Sequence, residues 1–112
     1  MTFCQQQHAA DLHQVCGWLG ASCPDDIRTE IVTRPIEEFL PQIREMLDTY
    51  DEFPEDARRT QKIIKEIRSG KPAQPVYIEQ GDPDFFIMEG RHRIVAFYLL
   101  RIIEVTVCYC HS

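Results

Sequence analysis

Gly90-Arg91-His92-Arg93 is the stretch of this chain whose residue types and spacing could do chemistry. A glycine followed at once by two arginines and a histidine suits the holding of an anion, above all a phosphate. Just before it, Phe85 to Met88 predicts a short buried strand, being brief and rich in aromatic and branched side chains. Glu89-Gly90 breaks that run, and a helix pattern starts at Arg91. The first N–H groups of a helix have no acceptor within it, and its dipole is positive at that end. Cations are disfavoured there, so Arg91, His92 and Arg93 make most sense with something negative completing the site. The competing reading pairs the arginines with Glu79, Asp82, Asp84 and Glu89 and needs no ligand.

Other constellations carry less. Cys108-x-Cys110-His111, joined by Cys4 and His8, has ligand types suited to zinc. It lacks paired C-x-x-C spacing, and two cysteines on one strand face suit small buried apolar groups equally well, so no metal is assigned. Glu37-Glu38 is a candidate acid–base pair, against the plainer reading of adjacent exposed acids. His8 and His13 read as solvated helix residues, and Trp18 as the anchor of the first helix.

These residues need elements to position them. Ala9 to Leu19 has helical spacing at Leu12, Val15, Cys16 and Leu19, and residues 1–25 read as a helical appendage with its linker. Residues 26–112 read as the main domain. There, branched Ile31, Val32 and Thr33 predict a strand ending near Pro35, followed by a turn or short helix to Leu40. A helix over Gln42–Tyr50 comes next, then one over Glu55–Ser69 with Ile63, Ile64 and Ile67 as its buried stripe and Gly70 as its stop. Val76–Glu79 and Phe85–Met88 predict a hairpin around the Gln80–Asp84 turn. The helix Arg91–Leu100 is apolar nearly all round and should be buried, and Ile103–Cys110 alternates as a closing strand. The expected class is α+β, a small mixed sheet with flanking helices preceded by an N-terminal helix.

Composition bounds the function. A chain of 112 residues with 44% hydrophobic and 27% charged residues is that of one globular domain. Five cysteines, an odd count at irregular spacing, point to free thiols. No signal peptide is visible and the longest apolar run is far short of a membrane span, so a cytoplasmic protein is expected. The net charge of -6 is uneven. Eleven acids against three arginines lie between Asp25 and Asp56, and the sign reverses from Ala57 to Lys71. The overall balance makes nucleic acid an unlikely partner.

Taken together, the element order and Gly90-Arg91-His92-Arg93-Ile94-Val95-Ala96 resemble the ParB/sulfiredoxin fold family over roughly residues 27–110. In that family the corresponding glycine and the basic residues after it hold nucleotide phosphates. The resemblance implies that Gly90, Arg91, His92 and Arg93 bind phosphate, with ATP or another nucleotide and Mg²⁺ as cofactors. Sulfiredoxins have a nucleophilic cysteine where this chain has Arg91, so sulfinic-acid reduction is not expected. ParB proteins share only Gly90, Arg93 and Ala96 of their pattern. The free-serine kinases are similar through an aspartate for which Glu89 stands in, while Glu37, Glu38 and Glu45 lie near their catalytic glutamate without matching it residue for residue. The expected function is nucleotide binding, with phosphoryl transfer or NTP hydrolysis as the chemistry such a cradle supports. The alternative is a degenerate interaction or inhibitor module of phage or plasmid type, binding a protein through acidic segment 25–56. A third is a nucleic-acid binder or nuclease using the basic helix at 57–71.

Overall fold

The computed structural model describes residues 3–21, 24–50 and 52–111. The elements in chain order are α1 (Gln5–Leu19), β1 (Arg28–Pro35), α2 (Leu40–Asp48), α3 (Pro54–Arg68), β2 (Val76–Glu79), β3 (Ile87–Glu89), α4 (Arg91–Leu99) and β4 (Glu104–His111). Short 3-10 turns, Pro24–Asp26 and Ile36–Phe39, flank β1. The strands form a mixed sheet in the order β1-β4-β2-β3. β4 runs antiparallel to β1 and parallel to β2, and β2 and β3 form the antiparallel hairpin. The α+β class and the leading helix are as the sequence predicts.

Alternation along the inner strands produces two apolar layers. Val76, Ile78, Ile87, Val105 and Val107 face one side, where they pack with Phe39 and Ile43 and with Ile94, Val95 and Phe97 of α4. Tyr77, Met88, Cys108 and Cys110 face the other side and pack against Val15 and Cys16 of α1. Both faces of the sheet are therefore covered, and α1 is one of the covers. Val15 is wholly buried, so the N-terminal segment packs as part of the core.

Helix α3 carries its signals in the expected places. Pro54 opens it, Glu55 and Asp56 occupy the first turn, and Lys65 and Arg68 the last, all matching the helix dipole. Gly70 follows with a positive φ of 97°, a conformation that glycine adopts without steric cost.

Three expectations need correcting. β3 begins at Ile87, not Phe85, and Phe85 has a left-handed φ of 53°. The reason is local hydrogen bonding. The Asp82 carboxylate accepts from the backbone N–H of Asp84 and Phe86, while the Gln42 amide donates to the carbonyls of Asp84 and Phe85 and accepts from Ile87 N–H. Those backbone groups are satisfied without a sheet partner. Next, α1 starts at Gln5, earlier than its apolar spacing indicates. Finally, α4 is not buried to its end: Tyr98 and Leu99 are each 43% exposed.

Candidate anion site at the start of α4

The turn from β3 into α4 is made by Gly90, at φ 105°. A Cβ placed on it would lie 2.8 Å from Val76 Cγ1 and 3.1 Å from Val76 Cα. Glycine is thus required twice over, by its conformation and by close packing on β2. That packing is sufficient reason for the residue, with or without a ligand.

From this turn the basic side chains leave in different directions. The Arg91 guanidinium lies over the Phe86 ring, 5.8 Å from its centroid, and Phe86 in turn meets Trp18 edge to face. His92 Nε2 is 2.9 Å from Asp56 Oδ1, in the first turn of α3. Arg93 turns toward α1. Its NH1 donates to Asp11 Oδ2 at 2.8 Å and to the Pro75 carbonyl at 2.8 Å, and its NH2 donates to Asp11 Oδ1 at 3.1 Å. The pairing acids are therefore Asp11 and Asp56, not the nearby Glu79, Asp82, Asp84 or Glu89.

His92 and Arg93 remain together in one cavity of about 310 Å³ between α3 and the β3–α4 turn. Arg59 and Lys62 of α3 enter from one side, Gln7 of α1 from another, and Glu66, Glu89 and Gly90 complete its polar wall. The free N–H groups of the α4 first turn begin at this glycine, which offers no side-chain cap. Arg59 and Lys62 were legible only as part of a basic helix face; their convergence on Gly90 depends on how α3 packs against α4.

The other candidates lie elsewhere. Glu38 is held by Arg34 through two bonds of 2.7 and 2.8 Å. Glu37 lines a separate depression with Tyr98, Leu99 and Ile103, at the far end of α4. Only Glu89 of the candidate carboxylates joins the cavity, where Glu66 is its acidic companion. The acidic segment is divided among the two 3-10 turns, β1, α2 and the first turn of α3, and within it Asp56, Glu38 and Glu55 already hold internal partners.

The cysteine-rich terminus behaves as buried apolar surface. Cys108 and Cys110 have Sγ atoms 3.7 Å apart, both wholly buried. The Cys110 sulfur beside it, then burial, push the Cys108 thiol far up, so it is not poised as a thiolate. Among the described residues no three His, Cys, Asp or Glu side chains converge as a metal group. His8, expected in solvent, instead has Nδ1 2.6 Å from the Tyr77 hydroxyl. Burial lowers its pKa, against a smaller opposing effect of the Asp11 charge.

The residue that sequence reasoning missed is Asp11, a carboxylate 3% exposed on the apolar side of α1, where Gln7 also donates to it at 2.9 Å. A signal was present: Asp11 lies one turn before Val15 and beside Leu12, on the stripe that the helix must bury. No helix of the described residues is long and apolar enough to cross a membrane. Comparison of the chain with family models, with curated proteins and with solved structures gives no match.

Proposed function

We propose that the protein binds a phosphate-bearing nucleotide in the cavity between α3 and the start of α4. The observation that carries this reading is the convergence of Arg59 and Lys62 with His92, Arg93 and the Gly90 turn around one space of about 310 Å³. Two sequence-distant basic groups meet a helix N-terminus there, and oriented N–H groups with flexible cations are the usual means of holding phosphate. The resemblance of Gly90–Ala96 and of the element order to the ParB/sulfiredoxin family supports the same ligand class. Glu66 and Glu89 are the hard oxygen donors that Mg²⁺ takes beside nucleotide phosphates. Phosphoryl transfer would need an acceptor brought to that wall, with Glu89 as the carboxylate nearest the turn.

The test is calorimetric titration with ATP, ADP, CTP and GTP, each with and without Mg²⁺. Binding that weakens in Arg59→Ala and Lys62→Ala supports the reading. No binding at millimolar ligand, by the wild-type protein or by Asp11→Asn, overturns it. A second reading, a protein-docking module, is favoured by the exposed apolar group Tyr98, Leu99 and Ile103, the last 75% exposed, at the opposite end of α4. Loss of nucleotide binding in every arm would leave that reading in its place.

A further inference from the structure

We infer that α1 is a latch on this anion site, with the Asp11 carboxylate holding Arg93 in the place that a ligand phosphate would take. The inference rests on the nucleotide reading above and concerns how that site is opened. Charge balance is its starting point. Arg59, Lys62 and Arg93 line the cavity with Glu66 and Glu89, and Asp11, paired to Arg93 from behind that lining, makes the balance one for one. His92 faces Asp56. The cavity therefore offers an anion no excess of positive charge while Asp11 is in place. Removing Asp11 alone leaves one cation uncompensated, and that cation is Arg93, in the first turn of α4.

Geometry makes the competition specific. Asp11 belongs to α1, on one face of the sheet, and Arg93 to α4, on the other. The arginine also bonds the carbonyl of Pro75, the residue just before β2. NH1 is fully occupied by Asp11 and Pro75, and NH2 gives one of its hydrogens to Asp11. A phosphate seeking a two-pronged grip on this guanidinium meets a carboxylate that already has one. Gln7, one turn before Asp11, both bonds that carboxylate and lines the cavity, so the same helix is wall and competitor. Other ties of α1 include His8 to Tyr77, the apolar packing of Leu12, Val15, Cys16 and Leu19, and Trp18 against Phe86.

A site whose competent form is a minor population binds with an affinity reduced by that fraction, and weakening the latch restores it. Asp11→Asn keeps the shape of the side chain and removes its charge. We expect this variant to bind ATP or inorganic pyrophosphate about tenfold tighter than wild type, or better. The second arm uses the wild-type protein and so survives a variant that fails to fold. On addition of ATP, amide hydrogen exchange should rise in α1, residues 5–19, and fall at 90–94. A purely structural ion pair would not move exchange in that direction, because ligands ordinarily protect what they touch. Equal affinity in wild type and Asp11→Asn, or unchanged or reduced exchange in α1 on binding, makes α1 a fixed wall and overturns the latch while the nucleotide reading stands. Absence of binding by either protein at millimolar ATP overturns both.

Discussion

Asp11 and Arg93, 82 residues apart, form a two-pronged ion pair in which the carboxylate side chain keeps only 4% of its surface exposed and the guanidinium side chain 12%. This pair joins the two layers that sandwich the sheet. Burial makes it asymmetric: losing the arginine leaves a buried carboxylate with neutral partners, Gln7 and the Tyr77 hydroxyl, whereas losing the carboxylate leaves Arg93 its bond to the Pro75 carbonyl.

Arg93→Ala should accordingly cost about 3–5 kcal/mol, the range for an uncompensated buried charge. Asp11→Asn should cost less. In denaturant unfolding, the double variant should lie well below the sum of the two single losses. Additive effects would show that the pair is not coupled.

Phe97 is 2% exposed and Leu99 43% exposed, two residues apart on α4. Phe97→Asp should unfold the protein, since an unpaired charge in the core costs more than about 4 kcal/mol. Leu99→Asp should stay folded. Circular dichroism of the two variants checks this, and similar melting of both would contradict the packing of α4.

Gly90→Ala meets two penalties, the left-handed φ and the contact with Val76. Together they should cost about 2–4 kcal/mol. Adding Val76→Ala should not restore stability, because Val76 Cα remains 3.1 Å from the new Cβ and the φ is unchanged. Full rescue by that second substitution would mean that the turn itself is unstrained.

The direction of the His8 shift determines a pH dependence. Its folded pKa lies below the ordinary 6.5, with burial as the main cause. The unfolded chain therefore takes up the proton first, so the contribution of His8 is present above about pH 6.5 and declines as pH falls below it. Melting temperatures measured from pH 7.5 to 5 should fall more for wild type than for His8→Gln. A steeper fall in the variant would reverse the sign of the shift.

The basic residues of α3 divide between two sides of the helix. Arg59 and Lys62 line the cavity, whereas Lys65 and Arg68 line only a second surface, which Lys62 also borders. Substitution of either of the first two by alanine should weaken ATP binding severalfold to about tenfold, the loss expected for one charged contact, and the effect should shrink with added salt. Lys65→Ala and Arg68→Ala should leave the affinity within twofold. Equal losses at all four positions would place the nucleotide elsewhere on α3.

The local grammar of the chain was enough for the order and type of nearly every element. Apolar spacing marked α1, α3 and α4, alternation marked β4, and prolines and glycines marked the breaks, because each of these signals acts within a few residues. The Gly90 turn into a helix carrying three basic side chains was legible for the same reason. What those side chains do was not. Tertiary packing sent Arg91 to Phe86, His92 to Asp56 and Arg93 to Asp11. It also gave the carbonyls of Asp84 and Phe85 and the N–H of Ile87 a distant Gln42 as partner, which moved the start of β3 to Ile87. Likewise it brought Arg59 and Lys62 to the cavity. A charged or amide side chain near an apolar stripe can choose among many complements in a chain with eighteen acids and twelve basic residues. The choice falls to whichever one the packed layers bring within hydrogen-bond reach while water is excluded, and that is a property of the whole fold.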